Sequence, residues 1–109
     1  MNYQPSSTAK KTWRKMNLCN QMANIGSEVI RAINWKVKNK DYSKMAAFRA
    51  IELYNLTLND SKNAKRLKEI CRAKEVFLDY IMGENKYGST DKYLTDYFNT
   101  FNYYARLGR

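Results

Sequence analysis

Residues 17–39 read NLCNQMANIGSEVIRAINWKVKN, and the apolar residues of this stretch recur every three or four positions. The residues that share this period are Leu18, Met22, Ile25, Val29, Ile33 and Val37. Such spacing places them on one face and predicts a helix over residues 17–39. Gly26 costs this helix about 1 kcal/mol relative to alanine. A glycine here would let another helix approach closely.

Three further segments show the same helical period and are separated by short polar stretches. They span residues 42–58, 62–82 and 90–106. We expect Ser61 or Asn63 to cap the third helix, and residues 89–91 to cap the fourth. No segment alternates as a strand would, and four glycines with one proline leave few sites for tight turns. The sequence therefore predicts an all-α fold, an antiparallel four-helix bundle over residues 16–109.

Residues 1–15, MNYQPSSTAKKTWRK, precede the first predicted helix and are polar and basic. We interpret them as a flexible basic arm that becomes ordered near Trp13. They lack the apolar stretch of a signal peptide, and no apolar run in the chain approaches the roughly 18 residues of a membrane span. These features predict a cytoplasmic protein without a membrane partner.

The chain contains two cysteines, Cys19 and Cys71, which are too few for a disulfide framework. Both lie among apolar helical positions, where a free cysteine behaves as a small hydrophobic residue. Cys71 shares the predicted inner face of the third helix with Leu67, Ile70 and Phe77. This usage is typical of a reducing cytosol.

The net charge is strongly positive, +10 from 20 Lys and Arg against 10 Asp and Glu. Such an excess opposes compaction through self-repulsion, so a polyanionic partner is a natural explanation. Nucleic acid, RNA or DNA, is the commonest such partner, and a nucleic-acid-binding protein is the other partner that we consider. Solubility, or a lysine-rich proteome, would also account for the charge.

Two groups of residues at helical spacing are candidates for nucleic-acid binding. The first comprises Arg31, Trp35 and Lys38; the second comprises Lys65, Lys68 and Arg72. An aromatic ring among cations can stack on a base while the cations bind phosphates. The alternative is that both groups are solvated faces, with Trp35 covering the next helix.

Carboxylates on three predicted helices could in principle hold metal ions, but the chain contains no histidine. Di-iron bundles require a Glu-x-x-His pattern, and Ser–His or Cys–His nucleophiles require the same missing residue. Three carboxylates instead have a basic residue three positions away, in the pairs Glu28/Arg31, Arg49/Glu52 and Glu69/Arg72. We therefore predict no enzymatic activity, catalytic residue, metal or cofactor. A deep pocket lined by unpaired Glu52, Glu75 and Asp79 would instead favour an enzyme.

The fourth predicted helix is rich in tyrosine, with Tyr93, Tyr97, Tyr103 and Tyr104. At helical spacing such residues are more often core or interface residues than a platform for stacking bases. If Tyr93, Tyr97 and Tyr104 point outward, they would favour self-association. This gives the alternative function, a protein-interaction module that forms a homo-oligomer through its fourth helix.

The predicted elements follow a distinctive order along the chain. A basic N-terminal segment precedes four helices, of which the third is basic and the fourth is aromatic. The stretches that define this order are RAIELYNLTL (49–58), AKRLKEICRAKEVFLDYI (64–81) and YFNTFNYYARLGR (97–109). In this order the chain resembles the accessory variability determinants, four-helix-bundle proteins found beside diversity-generating retroelements. It is similar in outline to the bundle proteins encoded within ribosomal RNA intervening sequences.

The resemblance covers about residues 17–109 and is one of pattern and charge. It implies a cone-shaped homo-oligomer whose basic surface engages a reverse transcriptase and its RNA. Gly26, the long first helix and the many tyrosines of the fourth helix depart from the family pattern. No functional residue is carried over from the family. We therefore expect an accessory protein that binds nucleic acid or a ribonucleoprotein.

Overall fold

The structure is a computed structural model that describes the backbone of residues 7–107 and the side chains of residues 10–107. Every regular element in this range is helical, which confirms the all-α class. The helices are α1 (Ser7–Lys15), α2 (Leu18–Trp35), α3 (Lys40–Leu58), a 3-10 helix (Ser61–Arg66), α4 (Leu67–Ile81) and α5 (Asp91–Leu107).

Helix α2 lies at the centre of the fold. It packs along both α3 and α5, whereas α4 packs mainly against α3. Ile25 and Val29 of α2 are fully buried, as are Phe77 of α4 and Phe98 of α5. Removing these side chains from water supplies the main driving force for this arrangement, about 1.5–3 kcal/mol for each.

Gly26 allows the close contact between α2 and α5 that its position predicts. A Cβ atom added to Gly26 would lie 2.7 Å from the Cβ of Phe98. That distance is too short for two carbon atoms, and a side-chain rotation cannot move Phe98 Cβ away from α2. The absence of a side chain at position 26 therefore sets the separation of the two helices.

Helix α1 corrects the predicted flexible arm, because Ser7–Lys15 is helical. The cause is Trp13, which is 6% exposed and whose indole Nε1 donates a hydrogen bond to Thr57 Oγ1 at 3.0 Å. Burying this large side chain anchors α1 against α3. The first six residues of the predicted arm lie outside the described residues.

A buried polar cluster joins α1, α2 and the 3-10 helix. Gln21 donates from Nε2 to the carbonyl of Trp13 at 3.0 Å and to Asp60 Oδ2 at 2.9 Å. Asn63 donates from Nδ2 to Gln21 Oε1 and to the Thr57 carbonyl, both at 2.9 Å. These mutual hydrogen bonds offset the cost of burying the amides and the carboxylate.

Asp60 is the charged member of this cluster. Burial by itself would raise the pKa of the Asp60 carboxyl, but hydrogen bonds from Lys62 and Gln21 lower it below its ordinary value. Asp60 Oδ1 also accepts the backbone N–H of Lys62 at 3.2 Å and so caps the 3-10 helix. The predicted caps, Ser61 and Asn63, are wrong, because Asn63 turns inward to Gln21.

Two predicted helix boundaries also differ from the structure. The helix predicted over 17–39 ends at Trp35, because Asn39 Oδ1 accepts the N–H groups of Asp41 and Tyr42 and begins α3. The helix predicted over 62–82 is divided into the 3-10 helix and α4. The predicted cap of the last helix is confirmed, since Thr90 Oγ1 accepts the Tyr93 N–H at 3.0 Å.

The inner face of α4 is narrower than predicted. Ile70 and Phe77 are buried, but Leu67 is 40% exposed and Cys71 is exposed as well. Because α4 packs mainly against one neighbour, its other core-facing residues are only partly buried. They are Ala73, Val76, Tyr80 and Ile81. The outer positions of α4 thus remain open to solvent.

Candidate nucleic-acid interface

Four basic residues lie along the 3-10 helix and the start of α4. We name Lys62, Lys65, Lys68 and Arg72 the α4 track. A 3-10 helix has three residues per turn, which keeps Lys62 and Lys65 on one edge. Lys68 and Arg72 follow at α-helical spacing, four residues apart. The local helix type therefore aligns the side chains into one row.

Most of the positive charge in this row is not neutralised by the protein. Lys65, Lys68 and Arg72 are exposed, and none forms an ion pair with a carboxylate among residues 10–107. The predicted Glu69/Arg72 pair is wrong, because Glu69 Oε2 instead accepts from Arg66 at 3.1 Å. That pairing leaves Arg72 free for another contact.

Arg72 makes its contact with an aromatic ring. Its guanidinium carbon lies 5.1 Å from the ring centroid of Tyr87, within the range of a cation–π interaction. Tyr87 follows α4 in the loop, where its N–H and that of Lys86 donate to the Asp79 carboxylate at 3.0 and 2.8 Å. The pairing was not predicted, since no spacing rule relates a loop tyrosine to a helix arginine.

Helix α1 adds four exposed cations beside the start of the α4 track. They are Lys10, Lys11, Arg14 and Lys15. Lys62 Nζ donates to the backbone carbonyl of Arg14 at 2.7 Å, and Lys62 also pairs with Asp60. An ammonium at the C-terminal end of α1 stabilises the unpaired carbonyls there. The same contact places the C-terminal end of α1 next to Lys62 of the α4 track.

The other predicted group, which we name the α2 set, has different surroundings. Arg31 donates to Glu28 Oε1 at 2.7 Å, which confirms the predicted Glu28/Arg31 pair. Arg49 lies 3.9 Å from Glu28 Oε2, and the pair predicted between Arg49 and Glu52 does not form. One carboxylate thus sits between two guanidinium groups and neutralises part of their charge.

Trp35 and Lys38 complete the α2 set. Trp35 is 38% exposed and meets the ring of Tyr42 edge to face, with centroids 5.3 Å apart. Lys38 lies in the loop beyond the end of α2, so it does not share a helical face with Arg31. Among the described residues, no hydrogen bond, ion pair or ring contact joins the α2 set to the α4 track.

A groove of about 530 Å³ opens between α4 and α5. Arg72 and Val76 line it from α4, and Tyr93, Tyr97 and Phe98 line it from α5. Burial raises the pKa of the Tyr97 phenol, and the nearby Glu69 carboxylate raises it further. The Tyr97 hydroxyl is therefore protonated at neutral pH and can donate a hydrogen bond.

A second charged cluster holds the other end of the helices together. Lys36, Tyr80 and Asp91 form mutual hydrogen bonds, with Lys36 Nζ 2.7 Å from Asp91 Oδ1. The hydrogen bonds from Lys36 and Tyr80 lower the pKa of the Asp91 carboxyl. Partial burial disfavours the charged amine, yet these partners raise the pKa of Lys36 overall. The cluster joins the ends of α2 and α4 to the start of α5.

The remaining predicted carboxylates do not gather into a site. Asp79 binds loop N–H groups, and Glu75 lies 3.5 Å from the Tyr87 hydroxyl. Within the part of the chain that the structure describes, no three His, Cys, Asp or Glu residues are placed to share a metal ion. The absence of catalytic activity remains a prediction.

No family model matches the sequence, and neither a curated protein nor a solved structure shows significant similarity to it. Within residues 7–107, none of the helices combines the length and the apolar character needed to cross a membrane.

Proposed function

We propose that this chain is a basic four-helix-bundle accessory protein of the cytoplasm that binds nucleic acid or a ribonucleoprotein partner. The resemblance noted above favours a factor that assists a reverse transcriptase. The observation that carries the proposal is the α4 track, with three exposed cations that lack carboxylate partners among the described residues. The proposal includes no catalytic residue, metal or cofactor.

The spacing of these cations supports a polyanion as the partner. Like charges three or four residues apart on a helix repel each other and cost a few tenths of a kcal/mol per pair. A row of phosphates would convert this repulsion into attraction and release condensed counterions. Lys65, Lys68 and Arg72 are therefore better suited to a partner than to an isolated fold.

Helix α1 extends the same surface. Lys10, Lys11, Arg14 and Lys15 are exposed, and α1 contains no acidic residue. Trp13 anchors this helix in place, and Lys62 connects its C-terminal end to the α4 track. Phosphates bound by the α4 track would continue onto α1.

The α2 set has a smaller role in the proposal. Arg31 already shares Glu28 with Arg49, and the Trp35 ring already forms a T-shaped contact with the Tyr42 ring. We expect Arg31, Trp35 and Lys38 to contribute less affinity than the α4 track. Their contribution would come mainly from long-range attraction.

The direct test is binding of the full chain to labelled RNA and DNA oligonucleotides by fluorescence anisotropy. We expect binding at about 50 mM salt. The logarithm of the binding constant should fall linearly with the logarithm of the salt concentration, with a slope of roughly 0.7–0.9 for each phosphate contact. Comparing the affinities for RNA and DNA identifies the preferred type of nucleic acid. Undetectable binding to both at the lowest salt would refute the proposal.

The alternative is a protein-interaction module that associates through α5. Its supporting observation is the exposure of Tyr93, Tyr103, Tyr104 and Leu107, at 59%, 61%, 57% and 62%. Exposed aromatic residues are enriched at protein interfaces. Sedimentation equilibrium tests both this function and the proposed homo-oligomer. We expect a defined oligomer that Tyr103→Ala with Tyr104→Ala dissociates; a strict monomer at all concentrations would contradict it.

A further inference from the structure

The groove between α4 and α5 has a size and lining that suit a flat aromatic ligand. Its volume of about 530 Å³ falls within the range of small-molecule sites, about 300–1,000 Å³. The rings of Tyr87, Tyr93, Tyr97 and Phe98 supply much of its lining. Phe98 is fully buried and belongs to the floor, whereas Tyr87 and Tyr93 are 48% and 59% exposed.

Tyr93 is the ring best placed to receive a ligand. Tyr97 meets Phe98 and Phe101 edge to face, and Tyr87 carries the guanidinium of Arg72. Tyr93 has no such ring or cation contact among the described residues. Its face is thus available for stacking, and the Tyr97 hydroxyl, which bonds no other described residue, offers a donor nearby.

The charge at the groove matches a ligand that is aromatic and anionic at once. Arg72 lines the groove and is also the last residue of the α4 track. The acidic residue of the lining, Glu69, is paired with Arg66 at 3.1 Å. A positive rim therefore remains where the groove meets the track, and a nucleotide combines the two properties that this arrangement requires.

We propose that the groove binds an unpaired base of a single-stranded nucleic acid whose phosphates lie on the α4 track. The base stacks on Tyr93 and accepts a hydrogen bond from Tyr97, and its phosphate lies against Arg72. A duplex keeps its bases stacked inside and cannot offer one to the groove without unpairing. This inference rests on the proposed function and adds a preference for single strands.

The experiment compares two strands of about 12 nucleotides. One is an oligomer of deoxyadenosine, and the other is an abasic strand with the same phosphates but no bases. We expect the deoxyadenosine strand to bind the full chain about tenfold more tightly, as stacking of one base on an aromatic ring provides. Equal affinities would overturn the groove proposal, while binding of the abasic strand would still support the proposed function.

Substitutions at Tyr93 test whether this ring is the one on which the base stacks. Tyr93→Ala should lower the affinity for the deoxyadenosine strand to that for the abasic strand, and Tyr93→Phe should retain the preference because the ring remains. Phe48→Ala is the matched control, because Phe48 is an exposed aromatic residue on α3, outside both the groove and the α5 surface. If Tyr93→Ala behaves like Phe48→Ala, or dissociates an oligomer without changing base preference, the groove proposal is wrong.

Discussion

Helices α2 and α4 each carry predicted binding residues, but their surroundings differ. Helix α2 is flanked by α3 and α5, and its Arg31 is held by Glu28. Helix α4 packs mainly against α3, and its Lys68 forms no ion pair with a described carboxylate. A central helix uses its surface for packing and internal pairing. A peripheral helix leaves its charges available to a partner.

Among the substitutions that test this comparison, the largest change in the free energy of unfolding is expected where α2 packs against α5. Gly26→Ala places a methyl group 2.7 Å from Phe98 Cβ, so α5 must move away from α2. The gain of about 1 kcal/mol in helix propensity is outweighed by overpacking, for a net loss of about 1–2 kcal/mol. Urea denaturation measures this loss. Ser27→Ala, at the exposed neighbouring position, is the control, and a stabilised Gly26→Ala variant would contradict the close contact.

An effect of similar or smaller size is expected at Asp60, which links α2 to the α4 track through Gln21 and Lys62. Because its folded-state pKa is lowered, its stabilisation is present above the unfolded aspartate pKa of about 4 and is lost as the pH falls through the folded value. Asp60→Asn should cost about 1–2 kcal/mol at pH 7 and flatten the stability profile at acid pH.

Asp96→Asn is the control for Asp60, since Asp96 forms an exposed pair with Lys92 on α5. Surface pairs of this kind contribute little to stability. Free energies of unfolding at pH 7 and near pH 3, measured for both variants, distinguish a buried carboxylate that stabilises the fold from a carboxylate in a surface pair. Equal losses for Asp60→Asn and Asp96→Asn would show that the buried cluster is not specially stabilising.

A smaller effect is expected on α3, which packs against both helices of the comparison. Tyr54 is fully buried, and its hydroxyl has no hydrogen-bond partner among the described residues. Tyr54→Phe removes this desolvated group and should raise the free energy of unfolding by up to about 1 kcal/mol. Tyr104→Phe, at an exposed site, should change nothing. A clear loss of stability in Tyr54→Phe would contradict the unpaired hydroxyl.

Local sequence signals predicted much of the helical framework. The apolar period identified the four longer helices. As predicted, Gly26 allows a close helix contact and Thr90 caps the last helix. Helix α1 was missed because its order depends on a distant partner, the Trp13 hydrogen bond to Thr57. Cys71 was predicted to lie on the inner face of α4 but is exposed, for a related reason. Periodicity indicates a helix but does not reveal how many neighbours cover it.

The candidate site was predicted in part. Spacing alone suggested the α2 set and three members of the α4 track, Lys65, Lys68 and Arg72, because each group has cations at helical intervals. Lys62 was not predicted. Which cations are neutralised depends on tertiary neighbours, such as Arg49 beside Glu28. The Tyr87 contact with Arg72 and the Lys62 contact with α1 also join residues that no local pattern relates.

The most direct test of the central claim removes two charges from each helix region and compares nucleic-acid affinity. Lys65→Gln with Lys68→Gln removes two unpaired cations, and Arg31→Gln with Lys38→Gln removes the same charge from the α2 set. All four side chains are exposed, so both variants should fold normally. Anisotropy titrations at about 50 and 200 mM salt provide the comparison.

We predict that the first variant binds at least about tenfold more weakly and that its salt slope falls by about 1–2, as expected for lost phosphate contacts. The second variant should lose about twofold or less. Equal losses in the two variants, or a larger loss from the α2 set, would contradict the assignment of the nucleic-acid surface to the α4 track.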